Sequence, residues 1–197
     1  TESDEATKEF ASIIYDESQR LSRLVNDLLD LARMEAGYQE KRIEPIDAVP
    51  FAKRMVKKFK QMGLEKRVSF EVTGPDVQFE ADPDQMDQVM TNLLGNALRY
   101  TEDGKIKIEI TEDRETISLS VIDSGDGIPE EDVPFVFDRF YKADKARTRG
   151  KTGTGIGLAI VANVVRSHDG EVQVESELGK GSVFRIQLPK KQRKRTL

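Results

Sequence analysis

Three short stretches decide the fold of this chain: residues 92–100 (Asn-Leu-Leu-Gly-Asn-Ala-Leu-Arg-Tyr), residues 123–129 (Asp-Ser-Gly-Asp-Gly-Ile-Pro) and residues 153–158 (Gly-Thr-Gly-Ile-Gly-Leu). Each alone is weak evidence, because asparagines on a helix and Gly-x-Gly turns are common. Together they describe one pocket, with a polar helix face, an acidic residue that opens a glycine turn, and a second glycine turn at a helix start. Such a pocket suits a nucleoside triphosphate with a magnesium ion, so the sequence predicts an ATP-binding domain.

Length and composition restrict the classes of protein to which the chain can belong. Its 197 residues suffice for one large domain, or for one ordinary domain with an appendage. A formal net charge of −5 argues against a generally basic nucleic-acid-binding surface, and the absence of cysteine excludes a disulfide framework or a Cys-ligated metal. No apolar run approaches the ~18 residues of a membrane span, and there is no signal peptide. Because the first residue is Thr, we expect a piece of a longer protein, whose missing part could hold a membrane anchor.

An apolar repeat predicts one long helix over residues 6–36, within an N-terminal segment of residues 1–37. Ile14, Leu21 and Leu28 lie seven residues apart and form a heptad seam with charged neighbours. A helix of about 31 residues extends roughly 46 Å, which is too long to be hidden in a small domain. We therefore expect its apolar stripe to pack on a partner helix from another chain or from the missing segment. Folding back on its own domain is the alternative.

Beyond the long helix the sequence divides into three parts. We predict a polar linker, a compact ATP-binding domain and a basic tail, at residues 38–47, 48–190 and 191–197. Alternation of apolar and polar residues marks five strands in the domain. Their centres lie near Phe70, Ile108, Leu119, Val174 and Ile186. The pattern predicts an α+β fold: a two-layer α/β sandwich in which a mixed sheet of about five strands carries three helices on one face, preceded by the long amphipathic helix.

Helix ends in the domain are predicted from capping signals. Asp47 and Asp82 each precede a helical pattern as candidate N-caps. Asp82 is the stronger of the two, because Pro follows it directly and Gln stands three positions after it, where a capping box places that residue. The last helix is expected to run from Thr154 to about Ser167.

The helix that follows Asp82 is predicted to have two distinct faces. Four side chains fall within about one third of its circumference at 100° per residue: Asn92, Asn96, Arg99 and Tyr100. Asparagine is a mediocre helix former, so two of them one turn apart favour a role such as oxygen ligands for a hard cation. Mg²⁺ keeps waters and phosphates as ligands, so one Asn oxygen would be an adequate protein share. The alternative is a solvated polar face.

Asp123 ends a predicted strand directly before a Gly-x-Gly turn. A carboxylate held at a strand end can accept a hydrogen bond from an exocyclic amino group, and adenine has one. Gly125 and Gly127 permit backbone conformations that other residues resist and would let a flat ring approach closely. The alternative is an ordinary turn, for which Asp-Ser-Gly is favourable composition.

Residues 153–157 form a glycine turn that leads into the apolar start of a helix, where unpaired amide hydrogens and the helix dipole favour phosphate. A Rossmann fingerprint is excluded because position 158 is Leu, and no P-loop signature with the required glycine spacing occurs. Between the two glycine turns, aromatic residues at 136–141 precede a cationic run at 142–151. We expect this run to be a loop that closes over a triphosphate; a solvated charged loop is the alternative.

These stretches resemble the catalytic and ATP-binding domain of bacterial sensor histidine kinases of two-component systems. The resemblance covers about residues 44–190. The sequence at 21–33, Leu-Ser-Arg-Leu-Val-Asn-Asp-Leu-Leu-Asp-Leu-Ala-Arg, is similar to the second helix of the family's dimerisation and phosphotransfer bundle. The wider superfamily includes DNA gyrase and heat-shock chaperone ATPases, all with a Bergerat-type α/β sandwich.

The resemblance implies roles for individual residues. Asn96 would be the magnesium ligand, Asp123 the adenine contact, and Arg139 and Asn92 the catalytic residues. The remaining implied contacts to ATP are Arg99, Tyr100, Gly125, Gly127, Ile128, Tyr141, Lys142, Gly153, Thr154, Gly155, Ile156, Gly157 and Leu158, with the loop 142–152 over the phosphates. Hydrolysing relatives carry a water-activating Glu where this chain has Asn92, which is a poor general base. This difference favours phosphoryl transfer to a protein nucleophile over hydrolysis.

One departure from the family concerns the phosphoacceptor. That residue is a His on the first bundle helix, whereas the single His of this chain is His168, which we interpret as a cap that complements a helix dipole. We therefore expect a fragment that binds ATP and Mg²⁺ but cannot autophosphorylate on the family's histidine. The expected partners are a response-regulator receiver domain and a second copy through the bundle, with no nucleic acid, in the cytoplasmic part of a membrane sensor. A hydrolysing ATPase and a non-catalytic interaction module are the alternatives.

Overall fold

The computed structural model describes residues 2–35, 41–142 and 153–192. It contains four α-helices, seven strands and one short 3-10 turn within these ranges. In chain order the elements are α1 (Glu2–Glu35), β1 (Glu44–Asp47), α2 (Ala48–Glu65), β2 (Val68–Thr73), β3 (Gln78–Ala81), α3 (Pro83–Tyr100), β4 (Gly104–Glu112), β5 (Thr116–Asp123), the 3-10 turn (Val133–Phe135), α4 (Gly157–Ser167), β6 (Glu171–Glu177) and β7 (Gly181–Pro189).

Five strands form one mixed sheet in the order β2-β4-β5-β7-β6. β2 runs parallel to β4, and every other pair in this sheet is antiparallel. Alternate side chains of the central strands are buried, such as Ile106, Ile108 and Ile110 of β4, and they share one hydrophobic core with α2, α3 and α4. This arrangement confirms the predicted α+β sandwich, because a sheet with one buried face requires a covering layer of helices.

A second, two-stranded sheet was not predicted from the sequence. β1 pairs antiparallel with β3, so that Ile46 lies opposite Phe79. Each strand has only four residues, and Pro45 interrupts the strand pattern of the first, so alternation gave no usable signal. Residues 44–47, which we predicted to end the linker, are therefore ordered at the edge of the domain. The first part of that linker and the end of the basic tail lie outside the described residues.

The capping predictions have mixed outcomes. Asp82 is confirmed as the N-cap of α3, because its Oδ1 accepts hydrogen bonds from the amides of Asp84 and Gln85 at 3.0 and 3.1 Å. Asp47 occupies the N-cap position of α2 but makes no capping hydrogen bond, and its carboxylate instead accepts from Gln78 Nε2 at 2.8 Å. The pairing of β1 with β3 brings that amide opposite Asp47, so the sheet contact replaces the cap.

The last helix begins three residues later than predicted, at Gly157 rather than at Thr154. The residues before it form a turn in which Gly155 has a φ of +75°. The carbonyl of Gly155 accepts a hydrogen bond of 2.8 Å from the amide of Phe140. A left-handed residue cannot be part of an α-helix, so the glycine turn delays the start of α4.

α1 is a continuous helix of 34 residues. Towards its C-terminal end Leu31 is buried against the domain core and Leu24 packs beside it. Closer to its N-terminus the helix exposes an apolar stripe that includes Ile13, Ile14 and Leu21. Folding back on the domain therefore holds for the C-terminal part of the helix, while the rest of the stripe faces outward. In the described part of the chain, no helix combines the length and the apolar character needed to cross a membrane.

Candidate functional site

The polar face of α3 lies directly against the glycine turn that precedes α4. A Cβ atom added to Gly157 would lie 2.7 Å from Asn92 Oδ1, and one added to Gly153 would lie 2.9 Å from Arg99 Nη1. Asn92 and Arg99 are two turns apart on the same face of the helix. Between them, Asn96 Oδ1 accepts a hydrogen bond of 3.2 Å from Arg99 Nη1. The structure thus brings these predicted site residues together, and the polar face is not simply solvated.

Asp123 lies at the end of β5, beside this face, with 7% of its surface exposed. Its Oδ1 accepts hydrogen bonds from the amides of Gly125 at 2.9 Å and Ser182 at 3.2 Å. Burial raises the pKa of the Asp123 carboxyl, against the effect of these two amides, and the nearby charge of Asp126 adds to the rise. Both of these hydrogen bonds fall on Oδ1, and neither amide bonds to Oδ2.

The glycines that follow Asp123 are required by the protein's own packing. A Cβ atom on Gly125 would lie 2.4 Å from the carbonyl oxygen of Tyr100, and one on Gly127, which has a φ of +69°, would lie 2.1 Å from that of Glu177. The sequence suggested that these glycines make room for a flat ligand. The structure gives a different reason, since the turn is pressed between the end of α3 and the end of β6.

Ile128 closes the same turn. Its amide donates a hydrogen bond of 2.8 Å to Ser176 Oγ, and the amide of Asp126 donates one of 3.0 Å to the carbonyl of Tyr100. Tyr100 itself is partly exposed at the end of α3. The second stretch is therefore a rigid turn that fixes Asp123 against the C-terminal end of the polar helix.

The aromatic segment is fastened to the third stretch by Phe140. This residue has a backbone φ of +63°, which is unusual for residues other than Gly and Asn. Its amide donates a hydrogen bond of 2.8 Å to the carbonyl of Gly155. Phe137 anchors the root of the segment through an edge-on contact with Phe184, with ring centroids 6.3 Å apart. Arg139 is exposed between these anchors. Arg139 therefore directly precedes the residue through which the aromatic segment is hydrogen-bonded to the glycine turn.

Tyr141 has a partner within its own segment. Its hydroxyl donates a hydrogen bond to the Asp132 carboxylate, and this bond raises the pKa of Tyr141 to about 12. Its ring lies against Phe135, with centroids 5.7 Å apart. Lys142 is the last described residue of the predicted phosphate-covering loop, and the rest of that loop lies outside the described residues.

Two residues of the third stretch contribute little side-chain surface to the site. Ile156 is completely buried (0% exposed), and Leu158 packs against the hydrophobic core. Thr154 does reach outward, and its Oγ1 donates a hydrogen bond of 3.1 Å to Asp27 Oδ2 of α1. The hydroxyl of Thr154 is therefore used within the protein, and the apolar side chains of the stretch anchor α4.

Comparisons with known proteins identify the family. Residues 81–192 match the sequence profile of the family described as histidine kinase-, DNA gyrase B-, and HSP90-like ATPase, and residues 1–37 match the His Kinase A (phospho-acceptor) domain. The first match covers more than half of the chain. The chain belongs to this family. The fold and both matches identify it as the catalytic core of a sensor histidine kinase, as the sequence predicted.

Individual relatives support this assignment. The sensor protein SrrB of Staphylococcus aureus strain NCTC 8325 is 47% identical over 195 residues, which cover 96% of the kinase core and 33% of SrrB. Among solved structures, the Acinetobacter baumannii histidine kinase AdeS matches with a TM-score of 0.77 at 25% identity, over 91% of the kinase core and 83% of AdeS. Full-length ShkA in complex with AMPPNP matches with a TM-score of 0.80 at 26% identity, over 94% of the kinase core and 39% of the ShkA chain. The kinase core spans about a third of SrrB's length.

The structure also reveals site residues that the sequence analysis missed. The amide of Ser182 bonds to Asp123, which it faces across the β5–β7 pair. The Oγ1 atom of Thr101 is buried without a hydrogen-bond partner among the described residues, and it lies 2.9 Å from the Cβ position of Gly125. Only the strand register could have revealed Ser182. Thr101 could have been suspected, because it directly follows the polar helix.

Proposed function

We propose that this kinase core binds Mg-ATP between α3, the end of β5 and the start of α4, and donates the γ-phosphoryl group to a histidine supplied by another helix. The observation that carries the proposal is the close approach of two predicted stretches. Asn92 meets Gly157 and Arg99 meets Gly153, at 2.7 and 2.9 Å from the glycine Cβ positions. A site with a cationic, amide-rich wall at a helix start is suited to a triphosphate.

Asp123 is proposed to select the adenine ring. Its Oδ1 is held by the amides of Gly125 and Ser182, so the orientation of the carboxylate is fixed before a ligand arrives. Oδ2 is then available as an acceptor for the exocyclic amino group. The unpartnered hydroxyl of Thr101, buried beside the Gly125 turn, marks a place where a buried polar group gains a partner when a polar ligand or a water binds.

The start of α4 is proposed to bind the phosphates. Ile156, at the N-cap position, provides no side-chain hydrogen bond to the first turn, in contrast to the Asp82 cap of α3. The first amides of α4 therefore lack a side-chain acceptor and point towards the glycine turn, where an anion would satisfy them. Arg99 supplies a positive charge on the opposite wall.

The donor set fits a magnesium ion that takes most of its ligands from phosphate and water. No cluster of three His, Cys, Asp or Glu side chains suitable for a metal occurs within the described ranges. Asn96 places an amide oxygen on the polar face, next to Arg99. We propose Asn96 as the protein ligand of Mg²⁺, which would neutralise charge on the phosphoryl group when bound.

Phosphoryl transfer is favoured over hydrolysis by the residue beside Gly157. Asn92 occupies the position next to the start of α4, and an amide cannot accept a proton from water as a carboxylate does. Arg139 is proposed to stabilise charge during transfer, from a segment attached to the glycine turn through Phe140 and Gly155. In the complete protein, the phosphoryl group would then pass from histidine to an aspartate of a response-regulator receiver domain.

The apolar stripe of α1 supports a helical-bundle partner. Ile13, Ile14, Leu21 and Val25 line a shallow depression on the exposed part of this helix. A second copy of the chain, together with the first bundle helix of the complete protein, would cover it and form the homodimer. Membrane attachment of the complete sensor is proposed only through segments outside this chain.

Calorimetric titration with Mg-ATP tests the binding site. We expect a dissociation constant in the micromolar to sub-millimolar range, on the order of −5 to −8 kcal/mol. Asp123→Asn should abolish binding, because an amide nitrogen can replace the acceptor oxygen. The matched control is Asp76→Asn, which makes the same chemical change at an exposed loop residue away from the site. No binding by the wild type would show that the motifs mark only an inherited fold.

Phosphoryl transfer is tested with radiolabelled ATP and a separately supplied helical bundle that carries the acceptor histidine. Asn96→Ala should reduce both Mg-ATP affinity and labelling of the bundle, whereas the exposed control Gln61→Ala should reduce neither. Unchanged labelling by Asn96→Ala would overturn its assignment as the metal ligand. Release of inorganic phosphate at a comparable rate without any acceptor would favour a hydrolysing ATPase instead.

A further inference from the structure

His168 joins the two helices that carry the proposed site. It directly follows α4 and is completely buried (0% exposed). Its Nδ1 lies 2.9 Å from the carbonyl oxygen of Val164 in the last turn of α4. Its Nε2 accepts a hydrogen bond of 3.1 Å from the backbone amide of Asp82, the N-cap of α3. His168 is therefore the C-cap of α4, as predicted from the sequence, and it caps as a neutral imidazole, because Nδ1 is the donor and Nε2 the acceptor.

The imidazole bridge lies at the end of the helix pair that is remote from the site. α3 carries Asn92 and Arg99 in its C-terminal half, and α4 meets them with Gly157 at its start. At 1.5 Å per residue, about 15 Å of α3 separate Asp82 from Asn92, and about 16 Å of α4 separate His168 from Gly157. The two helices are therefore held together at both ends, by the glycine contact at the site and by His168 away from it.

Other hydrogen bonds fix the bridge in place. Asp82 Oδ2 accepts from the backbone amide of Arg42 at 2.8 Å, while its Oδ1 caps α3. Gln192 Nε2 donates to the carbonyl of His168 at 3.0 Å, and Ser167 Oγ lies 3.3 Å from Nδ1. Because the ring is buried among fixed partners, it cannot move without breaking its bond to one of the two helices.

We infer that His168 is a positioning residue for nucleotide binding: its neutral ring sets the placement of α4 relative to α3, and thereby the position of the glycine turn relative to Arg99. The inference rests on the proposed function, because this relative position matters only if a triphosphate contacts both groups. Small displacements of binding groups reduce affinity steeply, so a hydrogen bond that joins the two helices about 15 Å away can act on binding through their relative placement.

Protonation of His168 would break the bridge. Burial lowers its pKa, and the positive charge of Lys41 adds to this effect, whereas the Val164 carbonyl and the carboxylates of Asp82 and Asp169 oppose it. The ring is therefore neutral at neutral pH and gains a proton only below its ordinary pKa of about 6.5. Protonated Nε2 is a donor that faces the Asp82 amide, so nucleotide affinity falls in that acidic range. Folding stability falls there too, because the unfolded chain binds more protons.

Two variants, each of which keeps one of the two hydrogen bonds of the ring, distinguish a positioning role of His168 from a packing role. His168→Gln places an amide oxygen where it can still accept from Asp82, whereas His168→Asn keeps only a donor for Val164. At about pH 7.5 we expect His168→Asn to weaken Mg-ATP binding by about tenfold and His168→Gln to remain within about threefold of the wild type. Wild-type affinity should decline as the pH falls below the ordinary histidine pKa of about 6.5, and the Gln variant should lose that decline. Arg166→Gln, at an exposed position of the last turn, is the control.

All titrations are made at a temperature where circular dichroism shows every variant folded, so that lower stability alone cannot change the affinity. Equal affinities of the wild type and both variants, with only a lower melting temperature for His168→Asn, would overturn the inference. A wild type that does not bind Mg-ATP would refute the proposed function instead. In that case, amide hydrogen exchange at residues 153–158, measured without nucleotide, tests whether His168 positions the glycine turn. Faster exchange in the Asn variant alone supports positioning, and unchanged exchange overturns it.

Discussion

Thr154 donates a hydrogen bond of 3.1 Å from its Oγ1 to the Asp27 carboxylate, and this bond links the glycine turn to the first helix. Thr154 belongs to the stretch that we propose to line the triphosphate. Asp27 lies one turn before Leu31, the residue of α1 that is buried against the domain core. At the other end of α4, the Lys41 ammonium donates to the carbonyl of Ser167. α1 and the segment after it therefore contact α4 near both ends, and a carboxylate lies beside the proposed phosphate site.

The Asp27 carboxylate should weaken the binding of Mg-ATP. It repels the phosphates, and Asp27→Asn removes this charge while its amide oxygen can still accept from Thr154, so the variant should tighten binding by about 1 kcal/mol, or roughly fivefold, at low salt. The measurement is calorimetric titration with Mg-ATP and, in parallel, with adenosine. Because adenosine has no phosphates, its affinity should not change. An equal gain for both ligands would show that the effect is not electrostatic.

Two glycines of the helix pair should respond differently to replacement by alanine. At Gly157 the new Cβ would lie 2.7 Å from Asn92 Oδ1, so Gly157→Ala should push the start of α4 away from α3 and weaken Mg-ATP binding by about tenfold. At Gly95 the nearest atom would be a ring carbon of Phe59 at 3.9 Å, which is an ordinary contact. Gly95→Ala should leave affinity unchanged and stabilise α3 by about 0.5–1 kcal/mol.

Thermal denaturation and titration of the same two variants test this pair. Gly95→Ala should raise the melting temperature by about 2–4 °C, as expected for a domain of this size. If Gly157→Ala bound Mg-ATP as tightly as the wild type, the contact between Asn92 and the glycine turn would have no part in nucleotide binding.

Most of the fold was predictable because its strands and helices are long enough to show a clear periodicity and because the helix cap is a local motif. The alternating residues of β4, β5 and β7 and the Asp82 cap were sufficient to predict the sheet and α3. The β1–β3 sheet was not predictable, since four-residue strands show no usable period. Asp47 failed as a predicted cap for a related reason. Its carboxylate is used by Gln78, a residue 31 positions away in sequence that only the strand register brings near.

The sequence predicts a set of site residues, and the structure brings part of this set together, in some cases for reasons that the sequence did not indicate. Asn92, Asn96 and Arg99 share a helix face by periodicity alone, which the sequence contains in full. The contacts of Gly125 and Gly127 with backbone carbonyls depend on tertiary packing, so no local rule could assign them. In the same way, both ring nitrogens of His168 bind backbone atoms that only the packed fold brings together, and the sequence could not show that it is neutral.

Asp123 should lower the stability of the protein while it enables binding. Burial raises the pKa of its carboxyl in the folded state, so the charged form is less favourable there than in the unfolded chain. The unfolded chain then binds fewer protons than the folded one wherever this group titrates, and stability rises as the pH falls through that range. Asp123→Asn should therefore raise the melting temperature at about pH 7.5 by about 2–4 °C, which corresponds to about 1 kcal/mol, while nucleotide binding is lost.

The pH dependence provides the check on Asp123. The difference in melting temperature between Asp123→Asn and the wild type should shrink as the pH is lowered below about 4, where the carboxyl becomes neutral in the unfolded state as well as in the folded one. Asp76→Asn should show no such difference, because that residue is exposed. A variant that is less stable than the wild type at every pH would show that the hydrogen bonds from Gly125 and Ser182 require the carboxylate.

Arg139 should affect the rate of phosphoryl transfer more than the affinity for nucleotide. Its side chain is exposed, and its segment is attached to the glycine turn by the bond from Phe140 to Gly155, which suits a cation that meets the phosphoryl group only during transfer. Arg139→Ala should lower the rate of labelling of a supplied bundle histidine by about 100-fold, with Mg-ATP affinity within about threefold of the wild type. The control is Arg114→Ala, in the exposed β4–β5 turn. A variant that binds Mg-ATP more weakly but transfers at the wild-type rate when saturated would make Arg139 a ground-state ligand of the nucleotide.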